Sequence, residues 1–422
     1  MIYELCKDDV KPLESETAMD EIKTLWTDCF HDTESYSQFY FTWKTKENTI
    51  YVIREDDKIV SMIHLNPYHL KLRKKTYPSY YVVGVATEES YRRRGLMRRL
   101  LIKSMEEMRQ KKIPFTYLMP ASEAIYSPYD FRVITVQKRY VTSIYELMNT
   151  SLIKDKEEST LQKKEVESEA MLIAASVETS EFQTIVLDKD YLEDGVLQEE
   201  LKELVNFANE ILALQEEIYT IRDEYYYERM IAEMKTGAGE VIVIKCNDVL
   251  IGYGAYSIEQ GNVYVLESLF DYDKEALVLQ GVLNRVKERI ESLNLVYDRV
   301  TETEEAPCIM ARIIHVEEFL KQLRAKQPIT LQVHISDEYL HENTGDYLLS
   351  IDQLSCTVTK LLKETRDFIP EVSMSIAELT EFCLHQPMDG KLSCCSTEHY
   401  SVVDEKMNYI QSFTKIHINE IV

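Results

Sequence analysis

The sequence predicts a mixed α/β protein, with α+β-type mixed sheets, arranged as three successive units. Three observations carry that reading. Strand-like runs alternate with amphipathic helical runs over much of the chain. The order hairpin, strand, helix occurs twice, near residues 49–111 and again near 240–290. A chain of 422 residues is also too long for one ordinary core. The expected units are 1–150, 151–300 and 301–422.

The elements of the first unit follow from pattern. MDEIKTLWTDCFHDTESYSQFYFTWK (19–44) reads as two short helices broken near Asp32. TIYVIREDDKIVSMIHLNPY reads as two strands around the polar turn Glu55-Asp56-Asp57. SYYVVGVAT is largely apolar, as a central strand should be. From Arg93 to Lys111, Met97, Leu101, Met105 and Met108 recur at helical spacing, joined by Leu96 and Leu100. FTYLMP is a short buried strand, and ITVQKRYVTSIYEL alternates like a strand with one exposed face. Residues 148–170 are polar, charged and poor in aromatics, and read as a linker or solvated excursion.

The second unit repeats that order. A helical stretch ends in IRDEYYYERMIAEMK, and GEVIVIKCNDVLIGYGAYSI forms a hairpin around Cys246-Asn247-Asp248. VYVLESLF is the next strand and KEALVLQGVLNRVKERI the next helix. Where the first unit has RRRG the second has DYDKEA. A duplicated fold that has lost an anion site has this pattern; chance recurrence of a common α/β order is the alternative. The third unit opens with PCIMARIIHVEEFLKQL, a strand or turn leading into a helix. It continues through ITLQVHI and DYLLSIDQL to a helix at SIAELTEFCL. The chain ends in FTKIHINEIV, apolar and β-branched to its last residue, so the terminus is expected to be tucked in.

Composition excludes several functions. The balance of 48 basic against 73 acidic residues, net −25, disfavours nucleic acid and anionic membrane and suits a cationic partner. A merely soluble acidic surface is the commoner cause of such a balance. Eight cysteines (Cys6, Cys29, Cys246, Cys308, Cys356, Cys383, Cys394 and Cys395) form no CxxC pair. No histidine cluster has metal-ligand spacing, so no metal is expected, and the thiols fit a reducing cytosol. The N-terminus lacks a basic-then-apolar leader, and no run approaches 18 apolar residues. A cytoplasmic protein is expected.

Within this acidic chain, VGVATEESYRRRGLMRRLL (83–101) packs five arginines into eight residues where a strand gives way to a helix. A helix N-terminus leaves backbone N–H groups unpaired at the positive end of its dipole, which favours phosphate. Gly95 lets a ligand approach, and Arg92, Arg93, Arg94 and Arg98 supply charge-assisted donors. A bare RxxG is more often a solvated basic face. Here the preceding strand and following amphipathic helix favour a pyrophosphate-bearing cofactor. Neither GxGxxG nor GxxxxGK[ST] occurs.

This strand–loop–helix resembles the coenzyme A site of the GNAT N-acetyltransferases, whose pattern is [RQ]-x-x-G-x-[GA]. Arg92-Arg93-Arg94-Gly95-Leu96-Met97 fits it, with Met97 in place of the usual small residue. Val85, Ala86 and Thr87 would be the strand end that pairs with the pantetheine arm. LMPASEAIYSPYDF (118–131) is similar to the Eis branch, where a Ser-containing turn leads to a Tyr; here it holds Ala121, Ser122 and Tyr126. That resemblance implies two tandem GNAT-type domains, the second degenerate, then a sterol carrier protein-like domain.

It further implies a cytoplasmic homo-oligomer, a hexamer, using acetyl-CoA as cosubstrate with no metal. Acetyl would pass to a primary amine of a cationic substrate: an aminoglycoside, a polyamine or a lysine side chain. Ala121 and Ser122 would complete the cofactor set, and Tyr126 would protonate the leaving thiolate. A phenol near pKa 10 lies about 1–2 units above a typical thiol. Backbone N–H groups near Val85 would polarise the carbonyl. The terminal carboxylate of Val422 would be the base, although Eis-type tails often end in an aromatic. Glu420 would help attract the amine, and Glu123 and His64 are reserve bases.

A Tyr acid and a carboxylate base imply direct transfer in a ternary complex. His64 is more simply a structural histidine, and Cys29 more simply core than nucleophile. Trp26, Asp28, Phe30, Asp32 and Glu34 either build an aromatic–acidic pocket or form a helix with a core side and a solvated side. A non-catalytic acetyl-CoA sensor, or a lipid- or partner-binding protein, is the alternative function.

Overall fold

The structure, a computed structural model, describes residues 1–6, 9–14, 16–143, 182–188, 194–259, 262–271, 274–287, 294–297, 304–361, 369–384 and 402–420. The expected linker 148–170, Cys394, Cys395, Ile421 and Val422 lie outside them.

The expected mixed α/β fold is observed. Helices Ala18–Phe30 and Glu34–Trp43 break at His31, which takes a left-handed φ of 57°. Thr33 caps the second helix by accepting from the N–H of Tyr36. Strands Thr49–Glu55 and Lys58–Leu72 form a hairpin whose turn residues Asp56 and Asp57 both have positive φ. The second repeat has Glu240–Cys246 and Val249–Glu259 around Asn247 and Asp248, again both at positive φ. Asp and Asn tolerate that region, and a tight hairpin requires it.

Each repeat adds a third antiparallel strand, Lys75–Thr87 or Asn262–Phe270, then a helix, Leu96–Gln110 or Glu275–Lys287. Each closes with a strand parallel to that third one, Phe115–Leu118 or Asn294–Tyr297. The shared order is thus also a shared pairing scheme. Leu96, Leu100, Leu101, Met105 and Met108 bury one side of the first repeat's helix, each contributing on the order of 2 kcal/mol.

Among the described residues the strands merge into one fifteen-stranded sheet. Arg132–Ser143 runs along the seam between the repeats. Its first part pairs with Glu304–Ile313 and its last four residues with Asn294–Tyr297, both antiparallel. Glu304–Ile313 also pairs with Phe115–Leu118, so a strand at the start of the third unit lies within the sheet of the first. The third unit has its own four-stranded sheet, ordered Cys356–Lys360, Gly345–Ile351, Ile329–Ser336, Val372–Ser375, beside helix Ile376–Leu384.

The tail returns to the centre of the molecule. Ile416 and His417 pair in parallel with Ile218 and Tyr219, a strand that also pairs with Lys58–Leu72. Phe413, Ile416, Ile418 and Glu420 are buried.

Candidate active site

The third strand of the first repeat departs from regular pairing near its end. Met62 faces Ala86 and His64 faces Val83, so Gly84 and Val85 together oppose Ile63 in a β-bulge. Gly84 has φ +59°, and a Cβ there would come within 2.7 Å of the Trp26 ring. Only glycine suits both conditions. On its other edge this strand pairs with Phe115–Leu118 at a single position, Tyr81 opposite Tyr117. Among the described residues, Val82–Thr87 has no strand on that edge. That edge is open to an extended ligand, although the Ala86 and Thr87 carbonyls already accept from Ser61 and Arg92.

This open edge leads to the arginine loop. After the turn Glu89–Tyr91, Arg92 is extended, Arg93 has φ 63° and Gly95 has φ 78°. The left-handed Arg93 ends the possibility of a helix from that residue, so the helix begins at Leu96, three residues later than periodicity predicts. Gly95 is required by its φ. A Cβ built on it meets nothing within 4 Å, so the space above the helix N-terminus is open.

The arginines divide by partner. Arg92 Nε donates to the Thr87 carbonyl at 3.0 Å. Arg94 donates to the Ser90 carbonyl, lies 3.6 Å from Glu55 and covers the Tyr91 ring. Arg98 lies over Tyr339 of the third unit, 5.7 Å from its centroid. The exposed side chain of Arg93 has no partner among the described residues. The first-turn N–H groups of Leu96, Met97 and Arg98, the positively charged Arg93 and the open space together fit a pyrophosphate.

Ala121 and Ser122 are exposed and precede the short helix Glu123–Tyr126. Tyr126 is buried against Phe131, and burial pushes its phenol up to about 12, above the expected value near 10. It therefore stays protonated at neutral pH. The turn after it is held by the third unit: Arg312 Nε donates to the Tyr129 carbonyl at 2.9 Å, and the Tyr339 hydroxyl to Pro128 at 2.7 Å. Arg312 is fully buried and pairs with Asp337 at 2.6 Å. Sequence reasoning missed this clamp because its parts lie some 180–210 residues from Tyr126 and belong to no local motif.

The reserve bases fare differently. Glu123 is exposed in the first turn of its helix. His64 is fully buried, bonded through Nδ1 to the Tyr40 hydroxyl at 3.0 Å, and burial lowers its pKa to about 3. A group so weakly basic is a poor proton acceptor at neutral pH. Cys29 is half-buried with its thiol raised by burial. The proposed aromatic–acidic pocket does not form around Trp26. Its indole is buried, stacks on Tyr40 at 4.2 Å and donates to Asp32 at 2.9 Å. It is core, and Asp32 is its hydrogen-bond acceptor.

A cavity of about 40 Å³ lies where the first repeat, helix Glu224–Thr236 and the tail meet. Beside it, buried Arg222 bridges Glu267 at 3.0 Å and Glu420 at 3.1 Å. Burial opposes ionisation of Glu267, but Arg222, His417 and the Tyr253 hydroxyl hold its carboxyl well below the usual range. Glu420, expected to attract an amine, is thus already charge-paired through Oε1; its Oε2 has no hydrogen-bond partner among the described residues. Tyr68 of the cavity wall lies on strand Lys58–Leu72 opposite Ser79, on the strand whose end forms the open edge.

Residues 9–134 match the family model of the acetyltransferase (GNAT) domain. A comparison with curated protein sequences finds no match. Among solved structures, the chain is similar to a probable N-acyltransferase from Enterococcus faecalis, at 17% identity and TM-score 0.67, with 89% of each chain covered. It is similar to a GCN5-related N-acetyltransferase from Anabaena variabilis, at 14% identity and TM-score 0.65, with 96% of each covered. It is also similar to Eis1 from Mycobacterium abscessus, at 11% identity and TM-score 0.66, over 98% of this chain and 100% of that one. Residues 9–134 thus match a GNAT acetyltransferase domain, and the chain shares its fold with these three solved structures.

Proposed function

We propose that this protein is an acetyl-CoA-dependent N-acetyltransferase acting on a primary amine of a cationic acceptor by direct transfer. The acceptor class is an aminoglycoside, a polyamine or a lysine side chain. One observation carries the reading: an unpaired strand edge, Val82–Thr87, leads into a loop where Arg93, the N–H groups after Gly95 and open space converge. Val85, Ala86 and Thr87 would hold the pantetheine arm. Arg92, Arg93, Arg94, Gly95, Leu96, Met97 and Arg98 would surround the pyrophosphate, with Ala121 and Ser122 beside the thioester.

Acetyl-CoA, when bound, supplies the activated acyl group: a C–N bond forms to the amine and the C–S bond breaks. Tyr126 then delivers its phenolic proton to the departing sulfur. Burial keeps that proton on the phenol at neutral pH, although a pKa of about 12 makes its transfer to a thiolate less favourable than from a phenol near 10. The Val85 N–H, re-aimed by the bulge, would polarise the acyl oxygen. The proton lost by the amine goes to the Val422 carboxylate. In support, the tail is buried as far as Glu420, and two more residues reach at most about 7 Å. The Eis-like plan adds a degenerate second GNAT unit, a sterol carrier protein-like third unit and a cytoplasmic hexamer. The loop 271–274, DYDK, has neither the arginines nor the glycine of its counterpart, which supports the degenerate reading.

The test is release of the coenzyme A thiol from acetyl-CoA in the presence of spermidine or free lysine. Wild type should turn over. Tyr126→Phe should bind acetyl-CoA unchanged while kcat falls about 10²–10⁴-fold. Binding without turnover by wild type would make the protein a sensor. A Tyr126→Phe variant within threefold of wild type would move the acid elsewhere.

A further inference from the structure

Arg229, on helix Glu224–Thr236, lines the central cavity and is 8% exposed. Among the described residues it has no carboxylate partner and no hydrogen bond. Its guanidinium is held by aromatic faces alone, 4.9 Å from the Tyr68 ring centroid, 5.6 Å from Tyr226 and 5.7 Å from Tyr225. The neighbouring charges are otherwise engaged: Lys44 pairs with Glu233 at 3.2 Å, and Arg222 with Glu267 and Glu420. The surrounding tyrosines and Glu233 favour its charge despite burial, and its guanidinium donors are left free to face the cavity. Among the described residues, two polar atoms of the cavity wall are buried and unpartnered, the Tyr68 hydroxyl and Glu420 Oε2. The wall thus offers an anion two donors, Arg229 and Tyr68, and offers an ammonium one free carboxylate oxygen.

We propose that the acceptor is a small zwitterion: an amine whose own carboxylate is bound by Arg229 and the Tyr68 hydroxyl, its ammonium lying toward Glu420. This rests on the acetyl-transfer reading and narrows its acceptor class from polycations to amino acid-like amines. The cavity size agrees. About 40 Å³ has room for a few water-sized groups, hence a carboxylate and a short stem. Arg229 acts here as a recognition residue. The aromatic faces fix its plane, and a planar guanidinium suits two-point contact with a carboxylate.

The experiment compares three acceptors sharing one aliphatic amine: free lysine, lysinamide and cadaverine. Each is assayed with acetyl-CoA and wild type, Arg229→Gln and Arg229→Lys, the last as the variant that keeps a buried charge should Arg229→Gln fold poorly. For wild type, kcat/KM should be at least about tenfold higher for lysine than for either carboxylate-free amine, the scale of a charge-assisted hydrogen bond. In both variants that preference should shrink through KM, while acetyl-CoA affinity and cadaverine turnover stay unchanged. Equal or better use of cadaverine by wild type would overturn the proposal. So would a uniform loss on all three amines, which would make Arg229 a partner of the chain's own carboxylates. If no amine is acetylated, the acetyl-transfer reading fails instead. Calorimetric titration of propionate then decides the anion site by itself: binding by wild type and not by Arg229→Gln supports it, and no binding overturns it.

Discussion

At the scale of single residues, environment decides roles that residue type leaves open. Tyr126 and the arginines stand out in the sequence because a local motif carries them. His64 was legible only as a histidine on an alternating strand; its fully buried setting comes from Trp26 and Tyr40, on helices 24 or more residues upstream. That setting has a pH consequence. The native imidazole resists protonation until about pH 3, whereas the unfolded one takes a proton near 6.5. Below 6.5 the unfolded state binds the extra proton, so stability falls as pH drops through this window and is flat above it. Between pH 7 and 5.5, wild type should lose about 1 kcal/mol more unfolding free energy than His64→Gln in urea titrations. Parallel profiles would contradict the burial argument. The sequence leaves the stretch around Trp26 open between a pocket and a core-packed helix, because alternation of Trp, Asp and Phe on a helix does not say which side faces the core; the structure has the second.

At the scale of elements, the duplicated order was readable from polar turns and apolar runs, and both repeats use the same left-handed turn chemistry. The partner of each strand was not readable. Nothing local says that Glu304–Ile313 inserts beside Phe115–Leu118, or that Ile416–His417 lies against Ile218–Tyr219. Such pairings join segments up to about 200 residues apart, and burial of the joined surface selects them. The tail is more than a terminus here. In the second repeat Asn419 Nδ2 donates to the Leu266 carbonyl, and Glu420 shares Arg222 with Glu267. Removing the Glu420 carboxylate takes a charge-assisted acceptor away from the buried Arg222 guanidinium. Glu420→Ala should therefore lower stability by about 2–4 kcal/mol, seen as a lower urea midpoint at constant slope. A loss under about 0.5 kcal/mol would show that the pair is not buried in solution.

At the scale of the whole molecule, three stretches distant in sequence converge. The first repeat supplies the open edge and arginine loop, the third unit clamps the Tyr126 turn, and the tail closes the cavity. The net charge of −25 makes the local arginine cluster a short-range feature that acts on a bound anion. If the Val422 carboxylate is the base, extending the chain by even two residues converts it to an amide and displaces the terminus. Such a variant should bind acetyl-CoA normally and turn over at least about 10²-fold more slowly. Equal kcat would return the role to another base. The most direct test of the whole account is calorimetric titration of acetyl-CoA into wild type and Arg93→Glu. Arg93 is exposed and without a partner among the described residues, so the substitution should spare the fold and weaken binding by about 1.5–3 kcal/mol, roughly 10- to 150-fold. Unchanged affinity would contradict the assignment of the loop to the cofactor, and with it the function proposed here.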